Sequence, residues 1–437
     1  MPPEESSATR SRFNGRLSDL NIADHLQLGV QLLTVSAPLG MLVGVAIAGY
    51  DYVVNTLLWE HLSSELSRSL LCLMPIIGML LTWVAVTIGH IKWTSMADEV
   101  VRAYHHPDEG LNYRQSAAKL TASLATMGFG GSAGMEGASK WVGAIIGGFI
   151  QTKLNRLRRW RFMQAKVEIT MLAGAAAGIS AIFRAPLTGA IMGVESPYKH
   201  DMAHEALLHG LVASAMSYLT FTAIGSATPY FSIHVAYTLN WRDLLVCVPL
   251  GLVAGLSSHL FLGTLSAIKR IISASRMPSF YFYLLGGVLL SLLAYASCYV
   301  VGEPVTLQAG LPEARRLLHG DYTLQICLFI FLVKMLATVI TFGCGGVGGL
   351  FIPSATIGAA LGAACDSLFP SMQPGLFTLM GIAAFTGASY NSLLFAAVFI
   401  AEATGSAALV VPGLVASTVA FVTSAGVSNS GHQKLHR

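Results

Sequence analysis

Residues 128–148 read GFGGSAGMEGASKWVGAIIGG, and residues 343–363 read GCGGVGGLFIPSATIGAALGA. Set one under the other at an offset of 215 positions, Gly128, Gly130, Gly131, Gly134, Gly143 and Gly147 fall on Gly343, Gly345, Gly346, Gly349, Gly358 and Gly362. Ser139 falls on Ser354, and upstream Lys119 falls on Lys334. A second matched pair follows. GAAAGISAIFRAPLTGAIMGVE (174–195) and GIAAFTGASYNSLLFAAVFIAE (381–402) are equal in length, start on Gly and end on Glu195 and Glu402. The chain therefore holds two copies of one unit. Gly-rich apolar segments also match through ordinary small-residue helix packing, but the shared Lys and Glu spacings argue for a true repeat.

The copies sit in an apolar background. Of 437 residues, 54% are hydrophobic and 11% charged. Soluble domains carry roughly 25% charged residues. Too few polar groups remain to cover a water-facing surface, so the surface faces lipid and the fold is all-α and polytopic. Apolar stretches run over 28–50, 70–91, 167–195, 206–226, 243–267, 280–301, 325–342, 375–401 and 408–426. Several are too short, or too broken by Gly and Pro, for the roughly 20 residues of a full crossing. Interrupted backbone at membrane depth is tolerated only inside protein or along a cavity. With an odd number of crossings per copy the copies are inverted, an architecture of secondary transporters whose substrate site lies where broken helices meet. The expected organisation is a polar cytoplasmic segment 1–26, a first repeat 27–226, a second repeat 227–427 and a tail 428–437.

Basic residues lie outside the apolar stretches: Arg10, Arg12 and Arg16; Lys153, Arg156, Arg158, Arg159, Arg161 and Lys166; Lys434 and Arg437. The positive-inside rule puts both termini and the 153–166 loop in the cytoplasm. No short apolar run precedes Leu28, so no cleavable signal peptide is expected. Cys72, Cys247, Cys298, Cys327, Cys344 and Cys365 have no metal-ligand spacing and read as small core residues. His90, His105 and His106 lack ligand spacing too, so neither an intramembrane enzyme nor a metal or cofactor is expected.

Each Gly-rich segment reads as a flexible run followed by a helix. The first amides of a helix lack intrahelical acceptors, and the aligned peptide dipoles make that end positive. An anion can sit there without a basic side chain. Neutral amides hold it weakly enough for it to leave, as permeation requires. In Gly349-Leu350-Phe351-Ile352-Pro353, Pro353 suits a first helical turn, which frees the amides of Leu350 and Phe351. In the first copy Glu136 stands where Phe351 does. It either complements the helix dipole or occupies the anion site as a tethered competitor that leaves when protonated. Lys119 and Lys334 end apolar segments. They are expected to snorkel to the interface, the other reading being a positive potential for anions.

At these residues the sequence resembles the CLC family of chloride channels and chloride/proton antiporters, from about residue 30 to 426. Gly134-Met135-Glu136-Gly137 resembles the family's G-x-E-G-P motif, with Ala138 in place of Pro. Gly349-Leu350-Phe351-Ile352-Pro353 matches its G-x-F-x-P motif, and 174–189 is typical of it. The resemblance implies an inverted-repeat homodimer in the inner cell membrane with one pore per subunit. It also implies Glu136 as the outer gate, exchanging protons, and an anion site at Gly349, Leu350, Phe351 and Ile352. No nucleic acid partner is implied. Three departures matter. The family's G-S-G-I-P motif is replaced by Lys92-Trp93-Thr94-Ser95-Met96-Ala97, where Thr94 or Ser95 would supply the coordinating hydroxyl. This leaves fluoride or nitrate open beside chloride. Ser196 stands where antiporters carry an internal proton glutamate, with Glu195 beside it; this leaves a passive channel open beside exchange. No tyrosine follows Pro412. Ser428, Asn429, Ser430 or Gln433 lies where the pore tyrosine would be, and Tyr390 belongs to another segment and is no obvious replacement. Paired cytosolic nucleotide-binding modules do not follow within the chain, so regulation through them is not expected.

Overall fold

A computed structural model of the chain describes residues 22–157, 163–225, 230–231, 237–238, 240–369 and 373–435. Of the basic residues that set the expected topology, Arg10, Arg12, Arg16, Arg158, Arg159, Arg161 and Arg437 lie outside the described residues.

The described chain is helical apart from one two-stranded pairing. Helix α1 is a continuous run of Ile22–Gln31, Leu32–Ser36, Ala37–Asp51, Tyr52–Glu60 and His61–Glu65, π-helical in its second and fourth pieces. There follow α2 (Met74–Ile88), α3 (Met96–His105), α4 (Ser116–Gly128), α5 (Glu136–Arg156), α6 (Val167–Phe183), α7 (Pro186–Glu195) and α8 (His204–Ile224). The second half carries α9 (Trp241–Ala274), α10 (Ser279–Val301), α11 (Leu311–His319), α12 (Leu324–Gly343), α13 (Phe351–Leu368), α14 (Leu376–Tyr390), α15 (Leu394–Thr404) and α16 (Val410–Thr423). Element by element, α1 to α8 correspond to α9 to α16. Seven of the described helices are long and apolar enough to cross a membrane. Leu33, Ile88 and Leu256 project from their outer faces and are well exposed, as lipid-facing side chains are. The short helices α6 and α14, almost wholly buried, and α7 and α15, mostly buried, lie inside.

The two halves meet across a local two-fold relation. Gly134 and Gly349, equivalent in the repeat, form an isolated antiparallel bridge. Each amide donates to the other's carbonyl, at 2.8 and 2.7 Å. Two symmetric crossings flank it: Ser132 N–H donates to Thr341 Oγ1 at 3.1 Å, and Val347 N–H donates to Thr126 Oγ1 at 3.1 Å. A residue pairs this way with its own counterpart only when it sits beside the symmetry axis. The opposed strands send α5 and α13 off in opposite directions, so the repeat is inverted.

Small residues make the packing possible. Gly143 of α5 lies against the Gly174 carbonyl of α6, and the Gly174 side faces Gly143 in turn; a Cβ on either would collide with the other's backbone. Gly358 and Gly381 repeat the arrangement between α13 and α14. Close backbone approach through small residues drives helix association where lipid supplies no hydrophobic force.

The repeat glutamates close the fold reciprocally. Glu402, in the last turn of α15, accepts from the Leu187 and Thr188 amides at 2.8 and 2.6 Å and from the Thr188 hydroxyl at 2.6 Å, at the start of α7. Glu195, ending α7, accepts from the Ser392 hydroxyl and from the Leu394 and Phe395 amides, at the start of α15. Each carboxylate thus meets a positive helix end of the other half. Glu402→Ala should cost about 1–3 kcal/mol, read as a lower thermal unfolding midpoint in detergent. Glu402→Gln, which keeps an acceptor oxygen, should cost less.

Lys119 and Lys334 do not reach the interface: both are fully buried. Lys119 forms an ion pair with Glu99, and its Nζ lies 4.2 Å from the Trp141 ring centroid. Lys334 Nζ donates to the carbonyls of Thr306, Leu307 and Gln308 at 3.2, 3.3 and 2.6 Å. Snorkelling needs a path to water along the helix surface, and here the helix face points into protein. The cysteines have no disulfide partner among the described residues.

Candidate functional site

A cavity of about 50 Å³ lies where broken helices converge. The N-terminal ends of α3, α5 and α13 open on it through Ser95, Glu136 and Leu350. Near the start of α15, Ser392 and Phe395 also line it. Several helix starts thus face one space, which favours negative charge there.

Glu136 is the first residue of α5 and is 3% exposed. Its side chain folds back toward the second repeat. Oε1 accepts the Phe351 amide, and the Ile352 amide lies on the same side. Oε2 has no hydrogen-bond partner among the described residues. The carboxylate therefore occupies the helix-start nest of α13. The nest belongs to the other half of the chain, not to the helix that Glu136 starts. Gly349 lets it in: a Cβ there would overlap the Glu136 carboxyl. Gly137 is held as closely, since a Cβ would meet the Gly348 carbonyl at 2.7 Å. Gly134 forms the bridge to Gly349, and Met135 is the buried residue before the helix, its sulfur 3.5 Å from Asn55 Nδ2. Pro353 sits in the first turn of α13.

Phe351 holds the nest in place. Its ring is fully buried among Phe183, Phe399, Phe395 and Tyr390, at centroid separations of 4.5, 4.9, 5.6 and 5.8 Å. Aromatic pairs at these spacings are individually worth about 0.5–1.5 kcal/mol. The anchored ring fixes the direction of its own amide.

Thr94 and Ser95 both line the cavity. Ser95 caps α3 without a side-chain cap bond, so its hydroxyl is free to face the cavity. Ser428, Asn429, Ser430 and Gln433 line the same space. The tail is docked there: Asp98 accepts from Ser430, and its carboxylate lies 2.8 Å from His432 Nδ1. The strand Lys434–Leu435 pairs in parallel with Tyr198–Lys199.

Two residues were missed in the sequence. Tyr390, set aside as part of another segment, ends α14 and lines the cavity. Its phenol lies within reach of the Leu350 amide and the Asn429 side chain, next to the nest. No spacing along the chain connects it to the tail. Lys140 also lines the cavity. It is 4% exposed, and its Nζ donates to Ser196 Oγ at 2.8 Å. Its signal was present: a lone lysine one helical turn after Glu136, in an otherwise small and apolar segment.

Comparison with known proteins bears on this geometry. The family model for voltage gated chloride channels matches residues 77–425. A putative chloride channel protein, ClcB-like, of Ralstonia nicotianae is 27% identical over 365 residues, covering 80% of this chain and 82% of its own length. The voltage-gated ClC-type chloride channel ClcB of Escherichia coli is 26% identical over 413 residues, covering 90% and 95%. Among solved structures, a CLC-type fluoride/proton antiporter superposes with a TM-score of 0.77 at 23% identity, covering 93% of this chain and 98% of that one. A slow cyanobacterial chloride/proton antiporter superposes at 0.75 and 22% identity, covering 90% and 94%.

Proposed function

The chain belongs to the voltage gated chloride channel family, a family of anion transport proteins, and from that premise we propose that it carries chloride past a gate formed by Glu136. The observation that carries this is the position of the Glu136 carboxylate, bound at the Phe351 amide inside the helix-start nest. A carboxylate oxygen there takes the place an anion would take. Protonation removes its charge and with it the charge-assisted part of the bond, roughly half of its strength. The freed nest then accepts an anion. Leu350, Phe351 and Ile352 supply the amides, the Thr94 and Ser95 hydroxyls face the inner approach, and Tyr390 stands where a pore hydroxyl is needed.

The topology follows the basic residues. The tail 428–435 and residues 153–157 and 163–166 face the cytoplasm, so the cavity between Ser95, Ser196 and Gln433 is the inner vestibule and Glu136 closes the outer side. The protein works in the inner cell membrane as a homodimer with one pore per subunit.

A passive pathway is the second reading, and Ser196 favours it. Where an inner proton carboxylate would stand, the structure has a hydroxyl bonded to a lysine. Retention of Glu136 favours exchange. Chloride-loaded liposomes separate the two. Uphill proton uptake driven by the chloride gradient is expected of exchange; chloride flux without proton movement identifies the passive pathway. Competition by fluoride and nitrate in the same assay ranks the anions.

A further inference from the structure

Three lysines are buried among the described helices, and their surroundings differ. Lys119 has a carboxylate, Glu99. Lys334 has three backbone carbonyls. Lys140 has one neutral hydroxyl, Ser196 Oγ at 2.8 Å. That hydroxyl in turn donates to the Gly193 carbonyl at 3.2 Å. An ammonium carries three donors and no acceptor, so two of its N–H groups have no acceptor among the described residues. No carboxylate lies within ion-pair distance of it among those residues. Asp98 lines the same cavity, but its oxygens are engaged by Ser430 and His432. A charge buried this deeply with no carboxylate bonded to it, Asp98 acting only across the cavity, is destabilised.

Lys140 also opens on the cavity that Glu136 lines, one helical turn further along α5. Lys269 lines that cavity too, adding positive charge along the approach. The missing counter-charge is therefore one that diffuses in. We propose that Lys140 and Ser196 form a second anion site, inside the gate, for a small inorganic anion. Two Nζ donors bind it, and Ser196 orients the ammonium. It is separate from the amide nest of α13 and holds an anion ahead of it. Asp98 lies close enough to weaken the hold, so the anion passes on. The inference rests on the reading that anions traverse this cavity.

Chloride titrated into purified protein in detergent tests it, with wild type, Lys140→Met, Lys140→Arg and Glu136→Gln compared by calorimetry and by thermal unfolding. Wild type should be stabilised by chloride, since a ligand of the folded state raises the unfolding midpoint. Lys140→Met should lose one bound chloride per chain, or at least tenfold in affinity at the inner site. It should also unfold at a higher temperature than wild type in chloride-free buffer, because the unpaired charge is gone. Lys140→Arg should keep the site. Unchanged chloride binding in Lys140→Met overturns the proposal. So does unchanged binding with lost proton uptake, which would make Lys140 a proton carrier instead. If no variant, Glu136→Gln included, binds or moves chloride, the anion reading itself falls. If Glu136→Gln alone alters binding, only the inner site falls.

Discussion

Glu136→Gln should abolish the dependence of chloride flux on external pH. The wild-type carboxylate holds the nest at the start of α13 through the Phe351 amide. It has 3% exposure and no basic side chain bonded to it among the described residues. Only its charge makes that bond stronger than one from a neutral amide group. The protonated fraction of a carboxyl rises about tenfold for each pH unit of acidification above its pKa. Wild-type flux should therefore climb as the outer solution is acidified. Glutamine has the same shape, is neutral at every pH, and competes for the nest only weakly. In the variant, flux at neutral pH should match acidified wild type, and the difference across the range should shrink to under about twofold. The assay is chloride efflux from liposomes at a series of external pH values. A variant whose flux still followed pH as wild type does would remove Glu136 from the gate. Gly349→Ala should act in the same direction while leaving the carboxyl group itself in the chain, because its Cβ would occupy the space of the Glu136 carboxyl.

Lys119→Met should be the most damaging single change to stability. The pair with Glu99 is fully enclosed, with side-chain exposures of 0% and 2%. Removing the cation leaves a buried carboxylate without a counter-charge, a loss of about 3–5 kcal/mol. The lysine also gives up its place over the buried Trp141 ring. Lys119→Met with Glu99→Leu removes both charges, and most of the stability should return, since buried ion pairs are often replaceable by apolar side chains. Thermal unfolding of the single and double variants in detergent reads the coupling directly. Equal midpoints for wild type and Lys119→Met would show that the pair holds nothing together.

These two residues mark the limits of reading from the chain. Glu136 was legible because a repeat aligns it with Phe351, and helix-start chemistry says what an amide nest does. Lys119 was legible as a repeated position but not in its surroundings. A lysine near the end of an apolar stretch looks the same whether its helix face meets lipid headgroups or protein. Glu99 lies on a separate helix, and nothing in the spacing joins them. Tyr390 shows the same limit more sharply. It stands far along the chain from the tail residues beside it, and its place at the nest comes from the end of α14 meeting the docked segment 428–433. Lys140 was visible as an oddity in a glycine-rich helix. Its lack of a counter-charge belongs only to three dimensions.

Composition and self-similarity determine what is periodic or cumulative along this chain. A surface this poor in charge must face lipid, and two glycine runs in register must be copies of one broken-helix unit. Both conclusions rest on properties that add up residue by residue. The tertiary structure decided which groups share a space. The antiparallel Gly134–Gly349 bridge, the exchange of Glu195 and Glu402 between halves, and the Lys140–Ser196 bond beside the cavity all join residues far apart in sequence. Such pairings depend on long-range backbone approach, which glycine permits but no local pattern encodes.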